Sequence, residues 1–510
     1  MPKKVVDPPM NIDRRQFLLR GAQSLAAFVL APSLLPGCGD STRDYVATGT
    51  AQPAATIEAL GRTLDGQLLL PGAQEFSQVA RPWNLRYADR LPAAVARCQS
   101  VEDIRRSLSW AQSNGVPFVV RSGGHSYSGF STTSGLMIDI SGMRGGTEDL
   151  VDGRVTVGPG ARNITVYDKL EPLSRTVTHG RCENVGVAGL TMGGGIGFNM
   201  RRLGLTCDQL VETDLMLANG EILTLNEEQN ADLFWAVRGA GAGNFGIHTS
   251  MTFQTFPVGN VTAFSIDFTD SLGELLEALM GLAPTFPREL GIKFSVVATR
   301  TGGANALHLN LLGQLVGAPA ELDALFAPLT AIATPSRSDV QDVPYWFAQR
   351  NILGEEGGAE YSFERSRYAN QPLNAQAIQL VLDRMAAWPG SVGQATWKLF
   401  LTGGAISDIA PTVTAYVHRQ AFGISAVEAE WHDALPAETV QTYREWVNGF
   451  HSALAAYTSN QSYQNFIDEQ QTDFLRAYYG SNLERLVEVK RRYDPGNVFT
   501  YPQGVPVSLG

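Results

Sequence analysis

Residues 121–132 read "RSGGHSYSGFST", and the use made of that loop decides the fold. It follows the apolar run "VPFVV" (116–120), which predicts a buried strand that opens into the loop. Gly123, Gly124 and Gly129 remove side-chain bulk, so backbone can approach a ligand closely and its N–H groups can converge on an anion. His125 sits among them. On this stretch alone, a strand-to-loop turn with a capping histidine fits as well as a binding loop.

Two further glycine-rich stretches need the same explanation: "GRCENVGVAGLTMGGGIGFN" (180–199) and "VRGAGAGNFGIHTSMTF" (237–253). The last contains a GxGxxG at Gly241, Gly243 and Gly246. A dinucleotide fingerprint must open a helix, whose N-terminus holds the pyrophosphate. "IHTSMTFQTF" is β-branched, aromatic and alternating, so a strand follows and a Rossmann site is rejected. The other two loops each stand beside one nucleophile, His125 and Cys182. A nicotinamide needs neither. A flavin has electrophilic carbons at its 8α methyl and at ring carbon six, where a histidine and a thiolate can attack.

Around these loops the pattern alternates. "SVEDIRRSLSWAQSNG" predicts a helix capped by Ser100 with Asp103, burying Ile104, Leu108 and Ala111 and stopped by Gly115. "GLMIDIS" and "RVTVGPGA" read as strands and "NITVYDKL" as a helix. After Phe256 come longer helices and alternating strands such as "LHLNLLGQLV" and "GISAVEAEW". Near the end, "SNLERLVEVKRRYDPGNVF" predicts a helix with a Ser481–Glu484 capping box, burying Leu483, Leu486 and Val487 and ended by Asp494-Pro495-Gly496.

The glycine-rich segments, together with "WAVRGAGAGNFGI" and "YYGSNLERLVEVKRRYDPGNVF", resemble four ordered signatures of the berberine bridge enzyme-like FAD-linked oxidases. The resemblance runs from about Ala80 to the C-terminus. It implies an α+β, two-domain vanillyl-alcohol oxidase-type fold with an antiparallel-sheet substrate domain. The expected division is a FAD-binding domain at 72–256, a substrate domain at 257–465 and a C-terminal return to the FAD domain at 466–510. It further implies bicovalent FAD, with His125 at the 8α position and Cys182 at ring carbon six. Ser122, Gly123, Gly124 and Ser126 match the pyrophosphate loop. Gly186, Val187, Gly189, Gly194, Gly197 and Ile247 match positions along the isoalloxazine and ribityl chain. Tyr479 and Asn482 match the segment that closes the flavin site. Cys98 and Cys207 match nothing and read as small buried hydrophobes.

The substrate half departs from the family. Where relatives carry a tyrosine or histidine base in the motif written here "SYQNFID", this chain has Phe466, which cannot carry a proton. Tyr463 reaches the same cavity only if the backbone is irregular there. In "GISAVEAEW", Val427, Ala429 and Trp431 share one face and Ala426, Glu428 and Glu430 the other. A carboxylate base of the family comes from about this strand, so the resemblance makes Glu428 the first candidate base, with a solvent-facing carboxylate as the alternative reading. Tyr127 either lines the cavity or packs. No histidine stands in ligand spacing, so no metal is assigned. The implied reaction is hydride removal from a CH–OH or CH–NH group of a carbohydrate, alcohol or secondary metabolite, with oxygen reoxidising the flavin to give hydrogen peroxide. A same-fold dehydrogenase using another acceptor, and a non-catalytic flavin-binding envelope lipoprotein, are the alternatives.

Composition excludes other classes. With 39 Lys and Arg against 50 Asp and Glu, the net charge is −11, and no basic face for nucleic acid is available. Four cysteines without paired spacing argue against a disulfide framework. Residues 1–38 read as a twin-arginine export signal: Arg14 and Arg15, then Phe17 and Leu18, then a short apolar run. "LLPGC" resembles a lipoprotein box ending at Cys38, against which Pro36 is a poor fit. The expectation is a periplasmic or secreted protein with a small-molecule substrate, a monomer or weak oligomer, with Cys38 as a lipid-anchor candidate.

Overall fold

The computed structural model describes residues 56–509 apart from 150, 302, 303 and 356. The export signal and Cys38 lie outside the described residues. The first sheet runs in the order β1 (Gln67–Leu69), β2 (Ala94–Arg97), β4 (Leu136–Asp139), β3 (Phe118–Arg121). β4 is parallel to both of its neighbours. Parallel strands need a crossover, and α1 (Val101–Ser113) supplies the one from β2 to β3, which leaves room for β4 between them. Ser100 caps α1 by accepting from the Asp103 amide, and Ile104, Leu108 and Ala111 are buried beneath it.

β3 departs from the expectation of a buried strand. Phe118, Val119 and Val120 are only half-buried, because β3 is the edge strand and these residues border a large cavity. An apolar run marks a surface removed from bulk water, whether by core or by ligand.

The second sheet is antiparallel. It orders the short strand Glu148–Asp149, β5 (Arg154–Val157), β8 (Ile247–Gln254), β6 (Leu210–Met216) and β7 (Ile222–Leu225). The residues after the GxGxxG are thus strand β8. Between β5 and β6 lie α2 (Asn163–Leu170) and the short α3 (Val187–Met192).

The third sheet has seven strands, all antiparallel, in the order β12 (Arg337–Pro344), β9 (Asn260–Phe268), β11 (Ala304–Leu315), β10 (Leu290–Thr301), β14 (Gln394–Leu401), β15 (Gly423–Trp431), β13 (Tyr361–Ala369). Alternation divides its side chains between two faces. Phe294, Val296, Trp397, Leu399, Val427, Ala429 and Trp431 join one core with helices α4 (Leu272–Leu282), α5 (Pro319–Thr330), α6 (Ala375–Ala386) and α7 (Ala437–Ala453). The intervening Lys293, Ser295, Thr396, Lys398, Glu428 and Glu430 border the cavity.

The chain then returns to the core beside β5 and β8, where Tyr478, Tyr479, Leu483, Leu486 and Val487 pack with Val155, Val157 and Met251. The terminal helix α8 (Leu483–Tyr493) has Asn482 as its N-cap, without a side-chain cap bond, and follows a 3₁₀ turn at Gly480–Asn482. The expected Ser481–Glu484 capping box is therefore not formed. Beyond the helix, the Asp494 carboxylate accepts from Lys490 Nζ at 2.7 Å and from the amides of Val498 and Phe499, each at 2.9 Å.

Candidate active site

Gly123 and Gly186 explain the glycine-rich loops. A Cβ on Gly123 would stand 2.2 Å from the Gly186 nitrogen, and one on Gly186 would stand 2.5 Å from the Gly123 nitrogen. Each glycine is required by the other, since no side chain fits between two backbones in contact. That contact brings the His125 loop against the Cys182 loop. Gly357 stands against both nucleophiles: its added Cβ would lie 2.9 Å from Cys182 Cβ and 3.3 Å from His125 Cε1.

His125 borders the cavity and stacks on Trp83, with ring centroids 5.2 Å apart. Desolvation lowers its pKa to about 4, and the positive charge of Arg162 acts in the same direction. The ring is therefore neutral at neutral pH, with a lone pair free to attack a carbon. The Cys182 thiol donates to Glu355 Oε1 at 2.6 Å. Burial and the Glu355 charge push the thiol well above its ordinary range. Arg181, at 3.1 Å from Glu355 Oε2, holds that carboxyl down at about 2.

The cavity encloses about 750 Å³, within the range of small-molecule and cofactor sites. Ser122, Gly123, Gly124, Ser126, Gly186, Gly189, Gly197 and Ile247 border it, as does Tyr479, whose hydroxyl donates to Ala240 O at 2.9 Å. Three expected positions stand elsewhere. The Val187 side chain packs in the core beside β5 and β8. Gly194 has φ +112° and faces Tyr416, whose ring an added Cβ would meet at 2.9 Å. Asn482 Nδ2 donates to the carbonyls of Pro411, Thr414 and Ala415, so it ties the C-terminal return to a neighbouring loop.

The wall suits a flavin. An added Cβ on Gly189 would meet nothing within 4 Å, so space remains over that helix. His248 Nε2, Gln464 Oε1 and Ser295 Oγ are buried polar atoms of cavity-lining residues that have no partner within the protein. Their nearly complete burial turns these atoms away from the open cavity, so the fit to a flavin rests on the space over Gly189 and on the close-packed glycine loops.

At the sheet side, Lys398 Nζ lies 2.7 Å from Glu428 Oε2 and 3.1 Å from Glu364 Oε1. Ser362 Oγ donates to Glu428 Oε1 at 3.3 Å. Gln394 Nε2 donates to Glu430 Oε1 at 2.5 Å. Burial, then repulsion among neighbouring carboxylates, raises Glu360 to about 9 and Glu430 to about 7. Burial also raises Glu364, to about 8, against the pull of Lys398. Burial lowers Lys293 to about 7. Carboxyl oxygens of Glu360, Glu428 and Glu430 come within 4.8 Å of one another, but Glu428 and Glu430 already have Lys398 and Gln394 as partners.

Phe466 and Tyr463 both border the cavity, on an irregular segment. The Tyr463 oxygen accepts from the Gly195 amide at 3.1 Å and from Asn465 Nδ2 at 3.0 Å. Burial raises this phenol above its ordinary range, so it is a hydrogen-bonded wall rather than a ready base. Tyr127 packs and lines at once: its ring lies between Trp83 at 5.0 Å and Phe466 at 5.3 Å, nearly parallel to the latter. Cys98 and Cys207 are buried free thiols.

Sequence reasoning missed Lys398, although alternation along "QATWKLFL" places it on the face of Gln394 and Thr396. It also missed Trp83, Glu355 and Glu360, which lie in irregular segments without periodicity.

Two family models match the chain: an FAD binding domain over residues 92–226 and a berberine and berberine-like segment over 462–506. The uncharacterised FAD-linked oxidoreductase YgaK of Bacillus subtilis is 33% identical over 450 residues, 87% of this chain and 97% of that protein. A xylooligosaccharide oxidase of Thermothelomyces thermophilus is 30% identical over 465 residues, covering 84% of this chain and 90% of its own. Among solved structures, the glucooligosaccharide oxidase of Acremonium strictum, described with 6-S-cysteinyl, 8α-N1-histidyl FAD, aligns with a TM-score of 0.77. Its identity is 26%, over 89% of this chain and 100% of that one.

Proposed function

Because the chain belongs to the berberine bridge enzyme-like FAD-linked oxidases, we propose that it carries FAD through two covalent bonds and oxidises a CH–OH group of a carbohydrate. The observation that carries this reading is a single cavity with His125 and Cys182 at its glycine-rich wall and a polar sheet face as another wall. Hydroxyl-rich ligands match Gln394, Thr396, Asn310 and the carboxyls of that face. The oligosaccharide oxidases among the relatives favour the same class. A CH–NH group, another alcohol or a secondary metabolite is the wider range of substrates.

When bound, FAD supplies the hydride acceptor, and oxygen takes its electrons to give hydrogen peroxide. The chain's own residues do the rest. The amides of Ser122, Gly123, Gly124 and Ser126 hold the pyrophosphate. Glu428 takes the substrate hydroxyl proton at a carboxylate oxygen, with Lys398 compensating its charge. The stacked rings of Trp83, Tyr127 and Phe466 make an apolar wall beside Lys398 that would exclude water from a bound substrate. The test is an anaerobic screen of sugars, alcohols and oxidisable natural products. An oligosaccharide is expected to bleach the visible flavin absorbance, and air should restore it with release of peroxide. Bleaching that air does not reverse would point to a dehydrogenase instead.

The paired Arg14 and Arg15 support export by the twin-arginine route, as a periplasmic or secreted monomer or weak oligomer, with Cys38 as the position for a lipid anchor. Replacing both arginines by lysine should hold the precursor, with FAD bound, in the cytoplasm. Delivery of that variant to the cell envelope would refute the route, and fatty-acid labelling reports on Cys38.

A further inference from the structure

Glu355 belongs to none of the four glycine-rich or C-terminal signatures, yet it takes the hydrogen bond of the Cys182 thiol at 2.6 Å. The main chain sets the pair side by side. The Glu355 amide donates to Arg181 O at 3.2 Å, and the Glu183 amide donates to Glu355 O at 3.0 Å. Cys182 and Glu355 thus form a short parallel bridge. Arg181 occupies the other carboxylate oxygen, at 3.1 Å, so Oε1 is left for the sulfur. Gly357, two residues on, lies against both Cys182 and His125.

A thiol becomes a nucleophile only when its proton leaves. Burial and the adjacent carboxylate both oppose a free thiolate at Cys182. The proton must then depart as the carbon–sulfur bond forms, to a base already in contact. With Arg181 holding it ionised, Glu355 can only accept.

We propose that Glu355 is the proton acceptor for attachment of the flavin to Cys182. The proposal rests on the two-bond reading of the cofactor above. The sulfur lone pair forms the bond to ring carbon six, and the S–H bond breaks with its proton going to Glu355. The hydrogen on that ring carbon leaves as a proton. The two electrons gained by the ring pass to dioxygen, which with two protons becomes hydrogen peroxide. Attachment at His125 does not use Glu355.

The test compares purified wild type with Glu355→Gln at equal times after synthesis. Flavin-bearing peptides are identified by mass spectrometry, and free Cys182 is counted by alkylation after denaturation. Wild type should give a flavin joined to both peptides. At neutral pH, Glu355→Gln should give a flavin joined to the His125 peptide alone, with Cys182 attachment slowed on the order of a hundredfold. Incubating the variant in air at alkaline pH should restore the second bond, because hydroxide then removes the thiol proton; a merely structural defect would not be rescued. Attachment in Glu355→Gln at the wild-type rate, or no recovery at alkaline pH, overturns the proposal. If that variant does not accumulate, Glu355→Asp should link slowly with the same alkaline recovery, and wild-type linkage there also overturns it. Absence of the Cys182 bond in wild type would instead remove the two-bond reading, and is seen in that sample alone.

Discussion

Acid-precipitated protein is expected to stay yellow, and only the joint replacement of His125 and Cys182 should make it colourless. The two side chains come from separate loops, held together by the Gly123–Gly186 contact, and both meet Gly357. His125 offers a neutral imidazole at neutral pH, so its attachment needs no prior deprotonation of the attacking nitrogen. Cys182 is half-buried, with its proton held by Glu355, so a bond there would need more assistance. His125→Ala and Cys182→Ser should therefore each retain covalent flavin through the other residue, with altered visible spectra. The double variant should lose the colour to the supernatant completely. A colourless precipitate from wild type would refute covalent attachment, while leaving tightly held FAD consistent with the cavity.

The parts of this site legible in the sequence are those where chemistry dictates residue type. Two backbones in contact demand glycine, so Gly123 and Gly186 appear as glycines in any reading. The rejection of a Rossmann site succeeded for a similar reason: residues 247–254 alternate, and alternation is a consequence of strand geometry. The same alternation put Glu428 and Glu430 opposite Val427 and Ala429 on β15, and the cavity lies on their side. Asn482 shows the limit. Its type is compatible with a ligand contact or with a clamp on main-chain carbonyls, and only the path of residues 411–415 decides. Glu355 was invisible in another way, since its partner is 173 residues distant in sequence, whereas alternation gives the face of Lys398 but not its pairing with Glu428, 30 residues on. Ser481 and Glu484 carried a correct local pattern that the 3₁₀ turn at Gly480–Asn482 displaced.

Glu428→Gln is expected to slow anaerobic flavin reduction on the order of a hundredfold or more, with flavin attachment retained, because a positioned base contributes 10²–10⁴-fold. Phe466 stands where the resemblance implies a proton-carrying side chain, and Tyr463 has its oxygen engaged by Gly195 and Asn465. Glu428 remains on the cavity wall with an oxygen 2.7 Å from Lys398, and the Lys398 ammonium lies 5.6 Å from the Phe466 ring centroid. Glu428 and its counter-charge thus sit beside Phe466, the position at which the sequence resemblance implies a base. Glutamine keeps the shape but cannot take a proton from an alcohol. Removing the Glu428 charge also removes one of the repulsions that raise Glu364, which lies 3.1 Å from Lys398 and can then ionise as its counter-charge, and retained flavin reports that the site still folds. Glu430→Gln is the same-face comparison. Its carboxyl is bound by Gln394 and is partly protonated near neutral pH, so its loss should slow reduction less. Equal rates of flavin reduction in wild type and Glu428→Gln would remove Glu428 from the reaction and make Tyr463→Phe the next variant to measure.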